Sequence, residues 1–412
     1  GLLRQRVGAR QRLLLIQDNI KWSYNIIQNM AKNKFSMAVL PVLFGFFIMG
    51  FCDIVGITSD YVQRTFGWSD AMTGFVPSMV FIWFLFLGIP VGACMNRWGR
   101  KNTVLLSLGI TVAGMFLPVI YFNGVTCMLA YAFLGIGNAI LQVSLNPLLN
   151  NVIGDSRLLT SGITAGQVIK ALSSLAGPEI VLIAAAWFGA DRWYYCFPLL
   201  GAITLLSALW LGLSTVPREQ SSSAGHSSAE VFSVLKDRKI LMLFLGIFFI
   251  VGVDVGVNYI SSKLMAERFA WTSAQVKTAP QVYFLCRTVG ALLGAFLLAR
   301  MSASLYFRIN MAACMASMLV LMFAYDAAVD LAAIGCIGFF ASSIFSIIYS
   351  DALLERPEKA NEISGLMITA VAGGAVVPPV MGAAMGAMGI AGGLAVIFAC
   401  LVYLMFLSFR VR

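Results

Sequence analysis

Four ionisable residues lie inside long apolar stretches of this chain: Asp53, Lys170, Asp254 and Arg287. A charge at the centre of a helix in hydrocarbon costs ~2.5–3.5 kcal/mol, so each needs a partner, water or a function. A carboxylate in a half-dry setting can load and release a proton, which makes Asp53 a candidate ion-coupling residue. Lys170 admits two readings. It is either neutralised, by Asp53 or by losing its proton on burial, or it meets an anionic group of a substrate. Asp254 and Arg287 fall on consecutive apolar stretches at similar depth, which suits a structural ion pair or a share in substrate binding or proton coupling. Amides at Asn138, Gln142, Asn146, Gln167 and Asn258, with aromatic faces at Trp83, Phe340 and Tyr349, would orient a hydroxyl-rich, sugar-sized ligand. Hydrogen bonds between helices explain any one amide equally well. Asn146, beside Pro147, is expected to satisfy carbonyls that the proline frees.

Enzyme chemistry has little to stand on. The one histidine, His226, lies in a hydrophilic run, and no nucleophile–base set is visible. The eight cysteines sit in or beside apolar stretches without paired metal-ligand spacing, so they read as small buried hydrophobes. No catalytic residue, metal site or cofactor is expected.

The elements that must position these groups follow from composition. Residues are 60% hydrophobic and only 11% charged, with a mean hydropathy of +0.87. A soluble domain carries about a quarter charged residues. Lipid is therefore the solvent, and backbone groups in lipid must pair internally, as helices or a closed barrel. The apolar runs are continuous rather than alternating, which selects helices. Twelve spans are expected, at roughly 37–60, 71–94, 103–122, 127–150, 160–186, 194–214, 240–263, 277–299, 305–325, 331–353, 364–386 and 389–409. The fold class is an all-α membrane protein of two six-helix pseudo-repeats.

Of the 28 Lys and Arg residues, twenty-one fall on the side of the termini and only Arg64, Arg192, Lys263, Arg268 and Lys277 fall opposite. That bias puts both termini in the cytoplasm and removes nucleic acid as the reason for the +10 charge. The expected layout is a cytoplasmic segment 1–35, a bundle 36–215, a Ser-rich linker 216–239 and a bundle 240–412. Residues 1–29 suit a membrane-surface helix, or are extraneous if translation starts at Met30. Phe46–Gly50 and Gly92-Ala93 recur as Phe248–Gly252 and Gly294-Ala295, both offset by 202 residues (248 − 46 and 294 − 92). Parallel repeats of this kind place a site at their interface, near the bilayer midplane.

The segment Gly92-Ala93-Cys94-Met95-Asn96-Arg97-Trp98-Gly99-Arg100-Lys101 resembles the signature loop of the major facilitator superfamily. Its cations can bond the C-terminal carbonyls of neighbouring helices, and Asn96 stands where an acid is usual. Ser364–Met367 with Gly373–Gly382, Leu141–Pro147, Gly338–Phe340, Phe248–Asp254 and Arg287–Gly290 resemble the fucose/glucose/galactose:proton symporter family. The resemblance implies the major facilitator fold and sugar uptake with a proton. It also exposes departures. Gly56 and Ile57 replace an Asn-Asp pair, Gln142 replaces a Glu tied to proton coupling, and Lys170 replaces an Asn. Gln167 and Pro178 are retained, and Asp254 stands for a Glu or Gln. Pro378-Pro379 is expected to bend the eleventh helix.

The expected protein is a monomeric, multi-pass transporter of the bacterial inner membrane. It imports a saccharide or sugar acid by alternating access, with a proton as coupling ion. Sodium coupling, facilitative organic-anion transport and a non-transporting membrane sensor are the alternatives.

Overall fold

Several apolar runs begin on a side chain that caps a helix, and several end on a residue that turns the chain. Asn123 forms a capping box with Thr126, and Asp155, Asp237 and Asp326 accept from the amides of Arg157, Lys239 and Ala328. Gly67, Gly154 and Gly389 take positive φ at helix ends, where a Cβ would be strained. The computed structural model describes residues 38–411 except 69, 218–227, 272–274, 276 and 277.

Among the described residues, twelve helical units follow in order. They are α1 (39–66), α2 (Asp70–Trp98), α3 (Arg100–Ile120), α4 (Gly124–Ile153), α5 (Ser156–Phe188) and α6 (Cys196–Leu213), then α7 (Arg238–Phe269), α8 (Thr278–Leu298), α9 (Ala303–Phe323), α10 (327–355), α11 (360–388) and α12 (Ile390–Ser408). Ten are long and apolar enough to cross a membrane; the apolar parts of α1 and α2, Val39–Ile54 and Ile82–Trp98, are shorter. This is the twelve-helix, two-half fold that the apolar runs imply. At 1.5 Å per residue, α4, α5 and α7 exceed the ~30 Å of hydrocarbon and project beyond it.

Three helices are broken rather than continuous. α1 tightens to 3-10 geometry over Gly50–Ile54, α10 is interrupted at Ser342 and Ser343, and α11 tightens over Ala370–Ala372. α11 runs helically through Pro378-Pro379, and its irregular turn comes before them.

The halves meet chiefly through α2 against α11 and α5 against α8. These contacts concentrate at the end of the bundle that carries most Lys and Arg, called here the basic end. Small residues allow the approach. A Cβ on Gly92 would lie 2.7 Å from the Asn361 carbonyl, and one on Gly365 would collide with the Gly88 backbone. A short linker helix, Ser228–Ser233, touches both α2 and α11, and buries Val231. His226 and the segment 1–29 lie outside the described residues.

Candidate functional site

The break in α1 is a tertiary effect. Gly50 packs so closely on α5 that a Cβ would lie 2.5 Å from the Lys170 carbonyl. The Met49 carbonyl, at the start of the break, accepts from Asn138 Nδ2 of α4 at 2.8 Å. Asn138 is buried, and Gln142 Nε2 donates to its Oδ1 at 3.1 Å, while Asn146 Nδ2 donates to the Gln142 carbonyl at 3.3 Å. The three α4 amides thus form a ladder at four-residue spacing that supports the break. An unpaired buried amide costs ~1–3 kcal/mol, so the ladder ties α4 firmly to α1.

The break presents Asp53. Its neighbours Phe51, Cys52 and Ile54 are buried, yet Asp53 is exposed. Its Oδ2 accepts from Ser174 Oγ of α5 at 2.5 Å, and its Oδ1 from the Cys52 thiol at 3.4 Å. α5, which carries Ser174, also borders the other half, so the exposed carboxylate lies near the interface between the halves. Lys170 lies one turn before Ser174 and is half-buried. Among the described residues its ammonium has no hydrogen-bond or ion-pair partner, although it acts electrostatically on the adjoining Cys52.

The other half answers with a paired set. Arg287 Nε of α8 meets Asp254 Oδ1 of α7 at 3.0 Å, and the Tyr283 hydroxyl donates to the same oxygen at 2.6 Å. With Nε spent on Asp254, the two terminal nitrogens of Arg287 have no partner among the described residues. Arg287 also interacts electrostatically with Asp53 across the interface. Two acids and two bases therefore converge, and their formal charges cancel. Gln167 and Asn258 are half-buried, and their side-chain amides make no hydrogen bond among the described residues.

The basic end is closed by a second set. Asn96 Nδ2 of α2 donates to Glu362 Oε1 of α11 at 2.6 Å, and Asn361 Nδ2 donates back to Asn96 Oδ1 at 2.7 Å. Arg100 joins Asn361 at 2.7 Å, Asn151 at 2.5 Å and the Pro147 carbonyl at 3.2 Å. Lys101 caps the end of α6 through the Gly212 and Ser214 carbonyls at 2.9 and 2.7 Å, as the signature loop implies. Thr160 bonds Ser350, and Ser161 donates to the Ala295 carbonyl at 2.6 Å. Pro147 has no N–H, which frees the Val143 carbonyl; Ser364 of the other half donates to it. Ser364, not Asn146, is therefore the group that satisfies the proline's lost bond.

Tyr349 also departs from expectation. It is fully buried and bonds Ser364, so it belongs to the closed gate and offers no open face. Trp83 is half-buried with Nε1 on the Met79 carbonyl at 2.8 Å, and Phe340 packs edge-on against Phe339. Behind the gate, Lys239 bridges Asp351 and Glu355 at 3.0 and 2.6 Å, and Arg356 meets Asp237 at 2.8 Å. Burial pushes the Asp237 carboxyl up, but the Lys239 and Ile240 amides and Arg356 outweigh it and hold the group below its ordinary range.

The sequence pattern of the Major Facilitator Superfamily matches residues 39–400. The chain belongs to that superfamily. The glucose/galactose transporter of Brucella abortus (strain 9-941) is 22% identical over 377 residues, covering 87% of this chain and 90% of the relative. The putative glucose/galactose transporter of Helicobacter pylori (strain ATCC 700392 / 26695) is 25% identical over 378 residues, covering 86% and 90%. The crystal structure of FucP, a superfamily transporter in the outward conformation, superposes with a TM-score of 0.82 at 18% identity, covering 92% of this chain and all of that one. At that identity the likeness is one of fold. Like other members of its superfamily, this chain is a multi-pass membrane protein.

Sequence reasoning missed Tyr283, Ser174, Asn361 and Glu362. The four-residue ladder Asn138, Gln142, Asn146 was a readable signal for a structural role. Nothing in residue type alone marked Tyr283.

Proposed function

We propose that this protein imports a saccharide carrying a carboxylate, by alternating access, with a proton as the coupling ion. The Lys/Arg bias takes the basic end as cytoplasmic, in a bacterial inner membrane. The gate at that end is shut, as alternating access requires while substrate enters from outside. The observation that carries the substrate class is Lys170: a half-buried residue whose ammonium has no partner among the described residues, one helical turn from Ser174 and beside Asp53. The unspent amides of Gln167 and Asn258, and the faces of Trp83 and Phe340, supply what hydroxyls and a sugar ring require. The names of the bacterial relatives support the saccharide class.

Asp53 is the proton carrier in this reading, because Gln142 cannot titrate. Closure of the outer end around the ligand and release of the inner gate then move ligand and proton together. The test is uptake by proteoliposomes offered D-glucose, D-galactose, D-glucuronate and D-galacturonate, with wild type and Lys170→Asn. Wild type is expected to prefer the acids, and the variant to shift preference to the neutral hexoses. Unchanged selectivity would leave Lys170 as a partner of Asp53 only.

A further inference from the structure

We infer that the substrate carboxylate and Asp53 compete for the same two cations, so that binding one anion loads one proton and transport is electroneutral. The inference rests on the carboxylated-saccharide reading above and adds Arg287 as a ligand from the opposite half. Asp53 is surrounded as follows. Cys52 lies on its own helix, α5 brings Ser174 and Lys170, and α8 brings Arg287 with Asp254 and Tyr283 behind it. α4 contributes only the neutral amides Asn138 and Gln142.

Arg287 is oriented for this use. Asp254 Oδ1 holds its Nε at 3.0 Å and takes the Tyr283 hydroxyl at 2.6 Å, which fixes the plane of the guanidinium. The free edge carries two N–H-bearing nitrogens, the arrangement that matches a carboxylate bidentately. Lys170 adds a point charge from the other half. Asp53, bonded to Ser174 one turn from Lys170, is a carboxylate beside these charges with no ion pair among the described residues. An incoming carboxylate takes both cations and gives the site one negative charge in excess. A proton from the outer water on Asp53 cancels that charge, and Ser174 can turn its hydroxyl to accept from the protonated acid. One monoanion and one proton then cross, and both leave to the cytoplasm. Tyr283 and Asp254 are positioning residues; Arg287 and Lys170 touch the ligand. Because the two cations sit on different halves, the ligand also draws the halves together.

The test uses wild-type protein in proteoliposomes with D-glucuronate as probe, under either a pH gradient or a potassium diffusion potential. A one-unit gradient, alkaline inside, should sustain about tenfold accumulation, each pH unit being a factor of ten in proton activity. A potential of either sign should leave the rate unchanged. Arg287→Gln should raise the half-saturating D-glucuronate concentration about tenfold to a hundredfold, the loss expected of a charge-assisted pair, and reduce D-galactose uptake far less. Tyr283→Phe should raise it less, without lowering the maximal rate. Uptake that follows the potential overturns the one-to-one exchange, and equal loss for both sugars in Arg287→Gln overturns the ligand role. If the protein moves D-galactose but no hexuronate, the inference falls and saccharide transport stands. If it moves neither, both fall.

Discussion

Asn96 of α2 donates to Glu362 of α11 at 2.6 Å, so the amide sits on one half of the transporter and the carboxylate on the other. The signature loop ordinarily supplies the acid at the position of Asn96. Here the acid has changed sides. Glu362 is buried, and it sits in the first turn of the α11 helix that starts at Ala360, where the helix dipole favours a negative charge.

Replacing Asn96 by Asp sets two carboxylates against each other and should open the basic end. The loss of one buried hydrogen bond, ~1–3 kcal/mol, shifts a two-state equilibrium by about tenfold or more. Adding Glu362→Gln to Asn96→Asp restores an acid–amide pair in the reverse order and should recover transport. Spin-label distances across the basic end, with uptake rates, check this. Failure of the double variant to recover either would show that the pair does not hold the gate.

Asn138 should be indispensable for a structural reason. Its Nδ2 satisfies the Met49 carbonyl at the α1 break, and it is 3% exposed. Asn138→Ala should destabilise the protein by ~1–3 kcal/mol and abolish uptake, read by thermal unfolding in detergent. Asn146→Ala, at the far end of the ladder, should cost less.

The Asp237–Arg356 pair gives a pH-dependent contribution. The folded carboxyl titrates below its unfolded value, so the stabilisation is fully present above the unfolded range near pH 4 and is lost as pH falls through the folded one. Arg356 is 42% exposed, which screens the pair to ~1 kcal/mol or less. The melting-temperature difference between wild type and Asp237→Asn should therefore exist at neutral pH and shrink on acidification below about pH 4.

Much of this architecture is legible in the residues, and the exceptions have physical causes. Lipid demands continuous apolar helices, so the spans and the repeat at Gly92 and Gly294 stand out. The cost of charge in hydrocarbon singles out Asp53, Lys170, Asp254 and Arg287 in the same way. The α1 break is not legible, because it depends on Gly50 meeting the Lys170 backbone 120 positions along the chain (170 − 50). Tyr349 reads as a free aromatic face because residue type does not decide burial; α11 seals it through Ser364. Asn361 and Glu362 sit next to Pro357 and Lys359, where the apolar run ends, and so read as loop. Only the partner half gives them meaning.

The coupling role of Asp53 is the claim on which the transport account turns. Accumulation of D-glucuronate against its gradient, driven by an inside-alkaline pH difference, measures it directly in proteoliposomes of wild type and Asp53→Asn. Wild type should concentrate the sugar acid, whereas the variant should bind it and exchange it across the membrane but stop at equal concentrations. Full accumulation by Asp53→Asn would contradict the account.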